Sequence, residues 1–137
     1  DRRFDSQAFL EGVQNAYRMI LEAFWRGDNE ELAKVCDKDV ADAFAEAIAA
    51  RAVAGDVLEN RLVRIEETTI TAASYSAPVA RISVCLAADI AAITRDAAGT
   101  VIAGSLNEAV QVRDVWTFRR DITSPDPDWQ LDETDEG

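Results

Sequence analysis

The first half of the chain repeats apolar residues at three- and four-residue spacing. Phe9, Val13, Ala16, Tyr17, Ile20, Leu21 and Phe24 fall on one face of a predicted helix, and Trp25 extends that face. Asp5 or Ser6 is placed to cap it, and Arg26-Gly27-Asp28 to stop it, since glycine takes the left-handed conformation that helix ends favour. A short helix is predicted from about Asn29 to Val35. A longer one runs from about Val40 to Ala54, with Phe44, Ala47, Ile48 and Ala52 on one face, Asp39 as its cap and Gly55-Asp56 as its end.

From Leu58 onward the period changes to two. Leu62 to Ile65 begins a strand, and Thr68 to Tyr75, rich in β-branched and small residues, forms the next. Ser76-Ala77-Pro78 makes a turn into a longer strand in which Ala80, Ile82, Val84, Leu86 and Ala88 share one face, with Arg81, Ser83 and Cys85 on the other. Ile90 keeps that register and Ile93 breaks it, which predicts a bulge near Ala91-Ala92. Asp96-Ala97-Ala98-Gly99 is a turn, and Gly104-Ser105 marks a second irregularity. Val110, Val112, Asp114, Trp116 and Phe118 then alternate with Gln111, Arg113, Val115, Thr117 and Arg119. Ser124-Pro125-Asp126-Pro127-Asp128 cannot continue a sheet, because each proline removes a backbone donor. A short last strand is expected around Trp129-Gln130-Leu131.

Helices before a strand meander predict an α+β fold, with N-terminal helices packed on a strongly bent antiparallel sheet. Such a sheet wrapped on a long helix forms a cone with an open mouth and a pocket. The pattern predicts one domain over 1–137, ordered from about 4 to 131, with a solvated acidic tail over 132–137. At 137 residues the chain can bury enough surface to fold without a metal or disulfide.

The 26 acidic and 14 basic side chains give a net charge of −12, which argues against nucleic acid as a partner. There is no histidine, and Cys36 and Cys85 lie far apart, so a structural zinc site is ruled out and both cysteines read as buried, reduced thiols. Glu30-Glu31 and Glu66-Glu67 lack the spacing of a calcium loop, and no glycine-rich phosphate loop occurs. No metal and no cofactor are expected. No stretch approaches the length of a membrane span.

Two segments carry a family resemblance. Asp114-Val115-Trp116-Thr117-Phe118-Arg119-Arg120-Asp121, with Asp126-Pro127-Asp128-Trp129-Gln130-Leu131 after it, resembles the closing strands of the Tim44-like family. Phe9-Leu10-Glu11-Gly12 and Ile20-Leu21-Glu22-Ala23-Phe24-Trp25-Arg26-Gly27-Asp28 resemble its opening helix. The likeness spans about Phe4 to Leu131. It implies the cystatin-like cone fold of the nuclear transport factor and ketosteroid isomerase superfamily, and a non-catalytic scaffold domain. Such a domain would dock on a partner protein or a membrane lipid in protein translocation. It also implies an N-terminal anchor upstream of Asp1, holding the domain at the cytoplasmic side of a bacterial inner membrane. The strongly acidic charge runs against direct docking on an anionic bilayer.

Asp114 is the residue that stands out chemically, because strict alternation puts it on the apolar face. A carboxylate there needs partners or a raised pKa. It is either a general base or ligand contact in the cone, as an isomerase of this superfamily uses an Asp, or a structural carboxylate held by Arg61, Arg64 or backbone donors. Without histidine, only Tyr17, Tyr75 and other carboxylates remain to assist proton transfer, and each tyrosine reads as a packed ring with its hydroxyl at an edge. Tyr17, Phe24, Trp116, Phe118 and Trp129, with Asp114, are the candidates to line a pocket for an apolar molecule, or else they fill the core. Arg113 and Arg119, with Arg81 and Arg120, are candidates for a docking surface; the alternative is a solvated face of ion pairs. The readings are a scaffold domain, a carrier of an apolar molecule or lipid, and an isomerase- or dehydratase-like enzyme using Asp114. The open sheet face is a candidate homodimer contact.

Overall fold

A computed structural model describes residues 5–125 and 128–136 of the chain. The expected start of the ordered core at Phe4, the Asp126-Pro127 pair and Gly137 lie outside the described residues.

Helix α1, Ser6–Arg26, starts where the Asp5 carboxylate accepts the amides of Gln7 and Ala8 at 3.0 and 3.1 Å. It ends at Gly27, whose φ of 77° lets its amide return to the last turn. Its buried stripe is Phe9, Val13, Tyr17, Ile20 and Ala23. Helix α2, Asn29–Val35, is capped by Asp28, which accepts the Glu31 amide at 3.0 Å. Helix α3, Lys38–Ala54, begins two residues before the expected start. Its cap is Asp37, which takes the Asp39 amide at 2.9 Å, so Asp39 sits in the first turn.

The strands β1 (Val57–Ser76), β2 (Val79–Arg95), β3 (Val101–Asp121) and β4 (Gln130–Glu136) form an antiparallel sheet in chain order, β1-β2-β3-β4. The two strands expected between Leu62 and Tyr75 are one. Register shifts at Leu62/Arg64, Ile65/Glu67 and Ile70/Ala72 break its alternation without ending its pairing. The irregularity expected near Ala91 lies in the β2–β3 ladder, where Ile90 pairs with Val110 and Ala92 with Ser105. The extra residues therefore belong to β3, while β2 runs against β1 without a shift there. Gly104, at φ 82°, approaches β2 so closely that a Cβ would collide with the Ala92 carbonyl oxygen.

The acidic segment after Leu131, expected as a tail, is paired as a strand, with residues 133–135 exposed. β4 pairs with β3 from Asp114↔Glu136 to Arg119↔Gln130. Leu131 anchors it, fully buried against Phe118, and its carbonyl accepts the Asp37 amide at 2.7 Å. All three helices of the described residues precede the sheet, giving the expected α+β order. Tyr17, Ile20, Leu32, Val84, Leu86, Phe118 and Leu131 form the fully buried centre.

Candidate functional site

The helix side of β3 brings four of the six pocket candidates together. The Tyr17 hydroxyl donates to Asp114 Oδ2 at 2.8 Å across 97 residues of sequence. The Tyr17 ring meets Trp116 edge-on, with centroids 4.7 Å apart, and Trp116 lies 6.5 Å from Phe118. Trp129 joins this group through Phe9, which touches it at 5.1 Å and Phe118 at 6.4 Å. Phe24 stands apart, packed on Phe44 of α3 at 5.2 Å under the Arg51 guanidinium.

Asp114 is half-buried, and Tyr17 is one of the groups that hold it. Arg64 instead binds Asp89 at 2.9 Å and contacts Glu66, and Arg61 is exposed. Tyr17 is fully buried, so its hydroxyl is inside the core and not at an edge. Burial, then the hydrogen bond and charge of Asp114, hold that hydroxyl well above its ordinary 10.0. It serves as a donor and is a poor proton acceptor near neutral pH. Tyr75 is 59% exposed, on β1.

Two hollows stand out among the described residues, and none of the six pocket candidates lines either. The larger, about 530 Å³, lies between the α2–α3 junction and β4, walled by Cys36, Asp37, Lys38, Asp42, Arg119 and Gln130. Its charges are already matched, Arg119 to Asp37 at 3.2 Å and Lys38 to Asp42 at 2.7 Å. Burial, and then the Asp37 charge, push the Cys36 thiol up to about 12, so it stays protonated and unreactive. Cys85, expected to be buried as well, is partly exposed beside Arg113, whose Nη2 lies 3.6 Å from its sulfur. The smaller hollow, about 320 Å³, joins Trp25 of α1 to Asn60 of β1. Sequence reasoning used Trp25 only to extend a helix face and passed over Asn60.

Three of the four arginine candidates enter ion pairs. Arg81 binds Asp132 at 2.9 Å, Arg119 binds Asp37, and Arg113 reaches Glu67 at 3.6 Å. Arg120 is half-buried, with its Nε shielded from solvent. Ser83 and Thr117 share a hydrogen bond of 2.7 Å between β2 and β3. Arg81, Arg113 and Arg119 are thus each matched by a carboxylate. Among the same residues no group of histidine, cysteine and carboxylate side chains could hold a metal, and no helix is long and apolar enough to cross a membrane.

Three helices packed on an unclosed antiparallel meander define an α+β domain, an arrangement consistent with the nuclear transport factor-like fold. The chain matches the Tim44-like domain model over residues 1–136, and it belongs to that family. In fold it is similar to the intermembrane space region of the chloroplast protein ARC6. The two share a TM-score of 0.61 at 16% sequence identity, covering 98% of this chain and 97% of that one. No curated protein matches the sequence.

Proposed function

We propose that this domain is a non-catalytic scaffold of a membrane-associated, translocation-related protein, and that it works by docking on a partner protein. The observation that carries this reading is the family match, which runs from end to end of the domain. The interior supports it. Asp114, the carboxylate that alternation puts on the apolar face, is engaged by Tyr17, and Tyr17, Trp116 and Phe118 are buried against one another. General acid–base chemistry needs a group within reach of a bound substrate, and neither hollow adjoins Asp114. The net charge of −12 favours a basic partner over an anionic lipid surface or a second copy. Within a cell the domain acts at the cytoplasmic side of an inner membrane, held by an N-terminal anchor.

The test is photo-crosslinking in cells from surface positions spread over both faces of the domain, with native mass spectrometry of the purified domain alongside. A discrete adduct with a translocation component, and a bare native mass, are expected. Extra mass that vanishes on denaturation, with no protein adduct from any position, would replace the scaffold by a carrier.

A further inference from the structure

The smaller hollow lies where the last turns of α1 meet the first residues of β1, between Glu22, Trp25 and Arg26 on one side and Leu58, Glu59 and Asn60 on the other. Consecutive strand residues point to opposite faces, so three in a row line one hollow only where their backbone is open. That is the edge β2 does not occupy, since β1 ends the strand order. Such an edge presents unpaired N–H and C=O groups. Register shifts interrupt β1 after Leu62, Ile65 and Ile70, and Val57 to Leu62 is an unbroken run.

The wall above this edge is built for contact. Trp25 is half-buried, and turning the Asn60 side-chain amide so that its oxygen faces the indole lets the indole N–H donate to it at 3.1 Å, while the amide nitrogen donates to the Glu59 carbonyl at 3.2 Å. The charges around it are uneven. Arg26 is held by Asp28 at 3.2 Å and Glu59 by Arg95 at 2.8 Å, whereas Glu22 enters no ion pair among the described residues. A cation arriving here would meet an aromatic face and an uncommitted carboxylate.

We propose that this edge receives an extended segment of a partner protein that carries Arg or Lys. The segment adds a strand alongside Leu58–Asn60 and sets its cationic side chain over Trp25, against Glu22. Main-chain hydrogen bonds supply affinity in this mode, and the side-chain seat supplies specificity. A second copy of the chain is a poor occupant, since it brings −12 against −12 and its own Glu59 to the same edge. The inference rests on the scaffold reading and states the chemistry of the partner.

The test uses a short fluorescein-labelled peptide of alternating Val and Arg, read by fluorescence polarisation at about 150 mM salt, where long-range attraction is screened. Binding is expected. It should be lost when alternate amides of the peptide are N-methylated, and when Glu replaces Arg. Trp25→Ala should weaken it about tenfold, with Trp25→Phe as the milder variant should the alanine protein fold poorly. Glu22→Gln should weaken it about threefold, and the distant Glu133→Gln should leave it unchanged. Equal binding by the N-methylated peptide, equal losses from Glu22→Gln and Glu133→Gln, or no binding at all would overturn the proposal. Crosslinks to a partner that avoid Trp25 would overturn this site and leave the scaffold standing. A bound basic peptide with no partner in cells would do the reverse.

Discussion

Tyr17→Phe removes a single oxygen atom from the centre of the core and leaves the ring in place against Trp116. The loss is the 2.8 Å hydrogen bond to Asp114. A hydrogen bond to a charged acceptor contributes about 1.5–3 kcal/mol. Asp114 is half-buried and recovers part of that from water, so the lower end applies. For a domain of this length that is a fall in melting temperature of about 5 °C. Urea and thermal unfolding at pH 7, monitored by circular dichroism, would measure it. A double-mutant cycle with Asp114→Ala should give a coupling of about 1 kcal/mol or more. A Tyr17→Phe protein as stable as the parent would refute the reasoning, by showing that Asp114 does not depend on the phenol.

The same contact predicts a pH dependence. The Tyr17 hydroxyl is raised above 10.0 in the fold, by burial first and by Asp114 second. In the unfolded chain it ionises near its ordinary value, while the native chain keeps its proton. Above pH 10 the unfolded state therefore binds fewer protons than the native state, and stability falls as pH rises further. Below pH 10 this contribution is fully present. Tyr17→Phe should flatten that alkaline slope, and stability measured from pH 8 upward would show it.

Cys36 acts in the same direction from a lower start. Its thiol moves from 9.0 to about 12, so its contribution is present below pH 9 and is lost between the two values; Cys36→Ala should flatten that window, and a thiol reagent should modify Cys85 while sparing Cys36. Gly104→Ala should destabilise by about 2 kcal/mol or more, because it forces a left-handed backbone on alanine and drives Cβ into the Ala92 carbonyl oxygen. Gly12→Ala should do the opposite, gaining about 0.5–1 kcal/mol, since a Cβ on that exposed turn of α1 meets nothing within 4 Å. Arg51→Met should cost about 1–2 kcal/mol, because Arg51 Nη2 donates to the Phe24 and Trp25 carbonyls at 2.9 and 3.3 Å and its guanidinium lies over the Phe24 ring. Arg51→Lys should restore only part of this, lacking the planar fork; denaturation midpoints decide each case.

The helices were legible because their signals are local. Asp5, Asp28 and Gly27 act within three or four residues of themselves, and the Phe9-to-Ala23 stripe repeats with the helix. The α3 cap was misplaced because Asp37 and Asp39 are both suitable acceptors, and only the backbone decides between them. β1 read as two strands because each register shift reverses the face of the residues beyond it, and a period-two pattern ends there even though the ladder continues. β4 was expected to stop at Leu131, and its continuation to Glu136 was missed for another reason. Residues 132–136 carry no apolar alternation, yet strand pairing needs only backbone, and Leu131 delivers that backbone to the free edge of β3. Asp114 was found by its wrong-facing polarity. Its partner was not, because Tyr17 is fixed by packing and by no spacing in the sequence.

The candidate pocket residues also set what a ligand in the interior would have to displace. A cone binds a small molecule only if its lining leaves space, and here Tyr17, Trp116 and Phe118 are at most 4% exposed and in mutual contact. Opening that interior would break the Tyr17–Asp114 hydrogen bond, at the cost of about 1.5 kcal/mol or more. It would also separate aromatic pairs that contribute about 0.5–1.5 kcal/mol each beyond their burial. A ligand would have to offset all of this before its own affinity appeared. The edge of β1 makes no such demand. β1 ends the strand order, and an added strand there would pair with its backbone without disturbing the core. The proposed docking at the strand edge beside Trp25 is therefore favoured over a ligand in the interior.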